Sequence, residues 1–205
     1  MKFKNIALSM IAALGIAVIA APAASADQWT YISTAQCNAN HTAIANKKPA
    51  PYADKLRLPA GQGALQNGNT MNVKIESAYA ADIKAAAESW MAASNGVIRI
   101  NFVDQAGPGV VVIRDAVMGD FARTYQNPTS ITIGSTYFPQ MDAVNRKFVI
   151  AHEMGHAMGL AYSCVGDIMK ARDTWGKFSM MPTKSDVAGV IQGRVSTADF
   201  TKAIS

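Results

Sequence analysis

Hydrophobic and polar residues follow two kinds of pattern after residue 70. Alternating or short continuous apolar runs predict five strands, at residues 71–77, 97–103, 110–113, 121–125 and 130–136. Apolar positions three and four residues apart predict a helix at residues 80–93. Asp142 is the predicted N-cap of a helix that runs to about residue 160, and Thr183 and Asp186, spaced as a capping box, predict a last helix at 184–193. The order is strand, helix, four strands, helix, long loop and helix. This order predicts an α+β fold with one sheet.

The first 70 residues follow neither pattern. Lys2 and Lys4 precede an apolar run over 6–20, and Ala24-Ser25-Ala26 follows as a small-x-small site, so residues 1–26 are predicted to be a secretory signal peptide. A membrane anchor is the alternative, but a spanning helix needs about 20 apolar residues. Residues 27–70 show no lasting period and are predicted to form a loop-rich N-terminal arm or a propeptide.

Charge and length narrow the class of protein. Removal of residues 1–26 leaves 179 of the 205 residues and lowers the formal charge from +5 to +3. That length suits one domain with a sizeable core. No cluster of Lys and Arg indicates nucleic-acid binding, and no second apolar run is long enough to span a membrane. We therefore expect a secreted, extracellular monomer without nucleic-acid partners or stable membrane association.

Two cysteines, Cys37 and Cys164, are present. In an exported protein an even pair predicts a disulfide, which here would join the N-terminal segment to the chain beyond residue 160. Two alternatives remain open at this point, namely Cys164 as a metal ligand and Cys37 as an inhibitory thiolate.

The clearest candidate for a metal-binding and catalytic motif is His152-Glu153-Met154-Gly155-His156. Residues four apart lie on one face of a helix, so both imidazoles can reach one metal ion. Glu153 points roughly 100° away from His152 and flanks that ion, where it can act as a base on a water. Zn²⁺ is the metal that suits two imidazoles, a third protein ligand and a water.

Few residues of the chain could supply the third metal ligand. The three histidines are His41, His152 and His156, and the three glutamates are Glu76, Glu88 and Glu153. No glutamate follows His156, which excludes a thermolysin-like ligand set. The downstream candidates are Tyr162, Cys164, Asp167 and Asp173. His41 is a remote option.

These residues resemble a known family. His152-Glu153-x-x-His156-x-x-Gly159-x-x-Tyr162 resembles the metzincin signature HExxHxxGxxH, in its matrixin-like form from small secreted bacterial proteins. Two later segments fit the same family: Asp167-Ile168-Met169 resembles its methionine turn, and residues 183–190 resemble the start of its C-terminal helix. The resemblance implies a mixed, mostly parallel twisted sheet with an active-site helix, and a metzincin-like catalytic domain at residues 71–205.

The chain departs from the family at Tyr162, where the family has histidine or aspartate. Three arrangements stay open: Tyr162 as the third ligand, Asp167 in its place, or zinc held by two histidines and waters. The phenol has a free pKa of about 10, so the metal must do more to deprotonate it. Gly159 favours Tyr162, because a glycine allows the sharp turn that brings residue 162 back toward the metal.

The expected function is a zinc-dependent endopeptidase acting on peptides or proteins, with one catalytic zinc bound by His152, His156 and Tyr162, and Glu153 as general base. The alternatives are a non-catalytic binding module with a degraded metal site and a hydrolase of non-protein amides such as cell-wall peptides. Trp175 and Phe178 are candidates for lining a substrate pocket. Structural calcium sites cannot be read from the sequence, and no Pro-Arg-Cys-Gly switch surrounds Cys37.

Overall fold

A computed structural model describes residues 32–171 and 179–205. The described residues form five α-helices, five strands and two short 3-10 helices. The α-helices are α1 (Thr34–Ala45), α2 (Ala80–Ala93), α3 (Ala143–Ala157), α4 (Lys184–Ile191) and α5 (Thr197–Ile204). The strands are β1 (Thr70–Glu76), β2 (Arg99–Phe102), β3 (Val110–Ala116), β4 (Ala122–Tyr125) and β5 (Ser130–Gly134). The 3-10 helices are Ala53–Leu56 and Phe138–Gln140.

The strands form one sheet in the order β2-β1-β3-β5-β4. β1 pairs in parallel with β2 and β3, and β3 pairs in parallel with β5. β4 alone is antiparallel, to β5, and it forms one edge of the sheet. The expected α+β fold with a mostly parallel sheet is confirmed.

Helices α2 and α3 pack together over the sheet. Trp90 of α2 is fully buried, and its indole Nε1 donates to the carbonyl of Ala151 in α3 at 2.8 Å. The helices share one apolar core with the inward side chains of the central strands, among them Val73, Ile113 and Ile131. Helix α3 is therefore held from below by the core and on its flank by α2.

Two helices were not expected from the sequence. Helix α1 lies inside the segment predicted to be loop-rich; it begins at a capping box formed by Ser33 and Gln36 but has no apolar stripe to reveal it. Helix α5 follows the predicted last helix. Its buried positions Phe200, Ala203 and Ile204 do have helical spacing, so a sequence signal for α5 existed.

The segment before β1 lies against the end of α3. The backbone amides of Leu58 and Ala64 donate to the carbonyls of Gly159 and Ala157 at 2.9 and 2.8 Å, and Ala161 donates back to Leu56 at 3.0 Å. Residues 56–64 thus run along the end of the helix that carries the HExxH motif. The assignment of 27–70 as an arm or propeptide, and of 1–26 as a signal peptide, stays a prediction; residues 1–31 lie outside the described residues.

Candidate metal centre

Helix α3 carries two of the expected ligands. It begins after Asp142, whose side chain accepts a hydrogen bond from the Asn145 amide, as predicted for the N-cap. His152 and His156 lie one turn apart with their ring centroids 4.8 Å from each other. The i, i+4 spacing therefore places both imidazoles on one face, as the sequence predicts.

The backbone fixes which ring nitrogen of each histidine carries the proton. Nδ1 of His152 lies 2.7 Å from the Ile168 carbonyl, and Nδ1 of His156 lies 2.8 Å from the Leu160 carbonyl. A carbonyl oxygen only accepts, so each Nδ1 is the donor. When such a ring is neutral its lone pair is on Nε2, which is the arrangement of histidines that bind metal ions.

Tyr162 completes a group of three rings. Gly159 ends the helix with φ of +96°, and the chain turns back from there. The Tyr162 ring lies 4.7 Å from that of His156 and 5.6 Å from that of His152, measured between centroids. The turn at Gly159 and the return of residue 162 to the histidines agree with the expectation from the sequence.

One atom of this group lacks a partner in the described part of the chain. Nε2 of His156 is buried and makes no hydrogen bond there, although a buried polar atom without a partner costs about 1–3 kcal/mol. Burial, and secondarily the nearby His152, lowers the pKa of His156 to about 3. The ring is therefore neutral at ordinary pH, and its unpaired Nε2 fits a metal ion.

Glu153 is held by a residue that the sequence did not indicate. The hydroxyl of Thr124, in the edge strand β4, lies 2.8 Å from Glu153 Oε2 and 2.8 Å from the Glu153 carbonyl. Two residues further on, the buried amide of Gln126 donates to the His156 carbonyl at 3.0 Å and accepts from the Gly63 amide at 3.0 Å. The only signal for these roles was two polar residues at alternate positions near Ala122, on the inward face of a weak strand.

Met169 lies beneath the histidine helix. It is fully buried, and a Cβ added to Gly155 would come within 2.2 Å of its sulfur. Gly155, between the two histidines, therefore lets the methionine side chain approach the backbone of α3. The sulfur packs against the helix at the turn that carries both expected ligands.

The loop that supplies the Ile168 carbonyl is held by Asp186 of α4. The Asp186 carboxylate accepts from the amides of Ile168 and Met169 at 3.0 and 3.4 Å, and from Thr183 in the predicted capping box. Burial, with a contribution from Asp167, raises the pKa of Asp186 to about 7. Helix α4 thus positions the backbone that orients His152.

Asp167, the competing candidate for third ligand, has other partners. Its carboxylate lies 3.2 and 3.3 Å from Nε2 of His41 and accepts from the Thr183 hydroxyl at 2.9 Å. The hydrogen bond with Asp167 raises the pKa of His41. His41, the remote option for a third ligand, is therefore a partner of Asp167. Asp173, Trp175 and Phe178 lie outside the described residues.

Cys37 and Cys164 form a disulfide, as predicted, with Cα atoms 5.6 Å apart. His41, Cys164 and Asp167 have ligand atoms within 4.8 Å of one another, which is a spacing compatible with metal binding. While the disulfide is closed, however, neither sulfur is a thiolate, which is the form of cysteine that binds metal ions. In the oxidised protein, the alternatives of a Cys164 ligand and an inhibitory Cys37 thiolate therefore do not apply.

Comparisons with known proteins add little to this geometry. No model of a known protein family matches the chain, and no curated protein matches it. Among solved structures, the chain is similar to myroilysin at 18% sequence identity, over 48% of this chain and 51% of that one, with a TM-score of 0.36. The match thus spans about half of that protein's length, and a similarity this slight carries no inference. Among residues 32–171 and 179–205, no helix is long and apolar enough to cross a membrane.

Proposed function

We propose that the protein is a secreted, zinc-dependent endopeptidase of the metzincin type, with matrixin-like features. One observation carries the proposal: the rings of His152, His156 and Tyr162 converge, both Nδ1 atoms are committed to backbone carbonyls, and Glu153 is next to the first histidine. The unpaired Nε2 of His156 supports a bound ion at this place.

His152 and His156 would hold zinc through Nε2, and Tyr162 through its phenolic oxygen. Bound zinc lowers the pKa of water from about 15.7 to near 7 and polarises a carbonyl group. The preference for Tyr162 over Asp167 is supported by the contacts of the two candidates: Tyr162 packs on both histidines, whereas the Asp167 carboxylate is engaged by His41 and Thr183.

Glu153 would be the general base and then the general acid. It would accept the proton of the attacking water and pass it to the nitrogen of the departing amine. The Thr124 hydroxyl lies 2.8 Å from Glu153 Oε2 and would help to orient the carboxylate before substrate binds. Glu153 is only partly buried, which leaves it accessible to water and substrate.

An extended peptide is the substrate that the surroundings favour. β4 is an edge strand, and Thr124 connects it directly to Glu153. A peptide that added to this edge through main-chain hydrogen bonds would run past the carboxylate. Export is supported by the disulfide and by the predicted signal peptide at 1–26. We expect the mature protein to act as a monomer without nucleic-acid or membrane partners.

The test combines metal analysis with a paired substitution. Purified mature protein should contain one zinc per chain and hydrolyse casein; a chelator should abolish the hydrolysis and zinc should restore it. Glu153→Gln should retain zinc but lose at least about 100-fold in hydrolysis rate, because general acid–base groups contribute about 10²–10⁴-fold. Glu88→Gln, at an exposed position of α2, is the matched control and should behave like the wild type.

Four results would contradict the proposal. A protein without stoichiometric zinc would remove the metal from the mechanism, and full activity of Glu153→Gln would remove the base. Zinc binding without activity on proteins or on peptidoglycan fragments would favour a binding module, whereas activity restricted to those fragments would favour hydrolysis of cell-wall amides.

A further inference from the structure

Four residues that can bind a metal ion meet around the disulfide, and none of them is one of the three rings of the first site. Cys37 and His41 lie four residues apart in α1, so they share one face of that helix. Cys164 and Asp167 lie three residues apart in the loop after α3. The disulfide links Cys37 of the helix to Cys164 of the loop. His41 of the helix contacts Asp167 of the loop through its Nε2, at 3.2 Å.

We propose that reduction of the disulfide converts this cluster into a second metal site, in which Cys37, His41, Cys164 and Asp167 bind one Zn²⁺. In the reduction, the S–S bond breaks and takes up two electrons and two protons from a dithiol, which itself becomes a disulfide. Binding of Zn²⁺ then displaces the two thiol protons and leaves two thiolate ligands. The ligand set has the sulfur, nitrogen and oxygen atoms that zinc accepts.

The dimensions of the cluster fit this metal. Tetrahedral zinc with bonds of about 2.0–2.3 Å places its ligand atoms about 3.3–3.8 Å apart. The ligand atoms of His41, Cys164 and Asp167 already lie within 4.8 Å of one another. They need to approach by at most about 1–1.5 Å to reach this separation. The Cys37 sulfur, now bonded to that of Cys164, does not lie within 4.8 Å of all three of these atoms. It would have to withdraw to about 3.8 Å from the Cys164 sulfur and also move toward His41 and Asp167.

The surroundings provide a second layer of contacts and a path for the ion. The Thr183 hydroxyl lies 2.9 Å from Asp167 Oδ1 and 2.7 Å from Asp186 Oδ2. When it donates to Asp167 it orients that carboxylate, as neighbouring groups orient the ligands of other metal sites. An open cavity of about 480 Å³ is lined by both His41 and Asp167, together with Val165 and Gly166. The His41 side chain is 37% exposed, so an ion can reach the cluster from solvent.

The oxidised protein with its disulfide and the reduced protein with bound Zn²⁺ would hold the same two segments together. In the oxidised protein the disulfide ties α1 to the loop that contains Ile168, whose carbonyl orients His152. In the reduced protein the metal would replace that tie. The proposal does not depend on peptidase activity, because none of the four residues is among His152, Glu153, His156 and Tyr162, to which the proposed function assigns the chemistry.

Cobalt provides the test, because Co²⁺ replaces Zn²⁺ and gives an intense near-ultraviolet charge-transfer band only with thiolate ligands. We expect the full-length mature protein, reduced with a dithiol that is then removed under argon, to bind one additional equivalent of Co²⁺ with this band. The oxidised protein should bind without the band, because the residues of the first site contain no thiol. Added Zn²⁺ should displace the Co²⁺ and remove the band.

Substitutions distinguish metal binding by all four residues from metal binding by the two thiols alone. His41→Gln and Asp167→Asn should each weaken Co²⁺ binding of the reduced protein at least tenfold, and Asp54→Asn, an exposed carboxylate on the neighbouring 3-10 helix, is the matched control. Cys37→Ser/Cys164→Ser should abolish the band. Reduced wild-type protein without the band, or a band in the oxidised protein, would overturn the proposal.

Reduction could also unfold the chain, and an unfolded chain binds cobalt through its thiols alone. In that case His41→Gln and Asp167→Asn would bind as tightly as the wild type, and this result would overturn the four-residue site. Circular dichroism of the same samples, with and without the metal, reports whether the helices are retained in the reduced protein.

Discussion

Gly155 lies in the histidine helix at a point where an added methyl group has no room. In Gly155→Ala the new Cβ would stand 2.2 Å from the Met169 sulfur and 3.2 Å from Cζ2 of Trp90. Ordinary contacts between such atoms are about 3.5–4.0 Å, so the sulfur must move by about 1.5 Å. Met169 is fully buried, and the movement must be absorbed by the core.

Two opposing effects decide the stability of this variant. Alanine is better than glycine inside a helix by about 0.8–1.0 kcal/mol. Overpacking of a core costs about 1–3 kcal/mol. The free energy of unfolding of Gly155→Ala should therefore fall by about 0–2 kcal/mol in the wild-type background. In a Met169→Ala background the clash with the sulfur is gone and only the milder contact with Trp90 remains, so the same change should raise stability by up to about 1 kcal/mol.

A double-mutant cycle measures the difference. The two effects of Gly155→Ala should differ by about 1–3 kcal/mol between the backgrounds, as expected for residues in contact. Urea unfolding followed by circular dichroism, on chelator-treated protein, keeps metal binding out of the comparison. Gly107→Ala is the matched control, because no atom lies within 4 Å of its added Cβ, and it should not couple to Met169→Ala. Equal effects of Gly155→Ala in both backgrounds would refute the packing of Met169 against α3.

Three further predictions follow from the site. Tyr162→Phe keeps the ring but removes the oxygen, so zinc affinity should fall at least tenfold in competition with a chelating dye; an unchanged affinity would exclude Tyr162 as ligand. Thr124→Val removes the hydroxyl that holds Glu153 and should lower kcat about tenfold with KM unchanged, whereas Thr124→Ser should retain activity; loss in both variants would indicate a packing role. Asp186 has a folded-state pKa raised from 3.8 to about 7, so folding takes up a proton there, and its contribution to stability falls as the pH rises through that range. Relative to Asp186→Asn, wild-type stability in urea should therefore drop by at most about 1.4 kcal/mol per pH unit, and parallel pH profiles would contradict this.

The sequence predicted the elements that carry their own local pattern. Helix α3 was found from its cap at Asp142 and its HExxH spacing, and α4 from the capping box of Thr183 and Asp186. The bounds of α2 match the prediction, and the five strands lie within two residues of theirs at their starts. Each of these signals depends on residues close together in the chain.

Features that depend on distant residues were not predicted. Helix α1 has no apolar stripe, and its position follows from the disulfide and from contacts with α4 rather than from its own pattern. The contact of Thr124 with Glu153 joins residues 29 apart, and the sheet order that brings β4 to the edge has no local signature. The identity of Asp186 as a partner of Ile168 likewise required the fold.

The disulfide closes a large covalent ring. Cys37 and Cys164 are separated by 127 residues, and the ring contains the whole sheet and helix α3. A single cut anywhere within it, for example at the exposed turn near Gly107, would leave the two pieces tethered instead of releasing one of them. The protein is proposed to cleave peptide bonds and would meet other copies of itself, so a first cut within the ring would open a loop without releasing a fragment. Loss of a fragment would then require a second cut or a reductant.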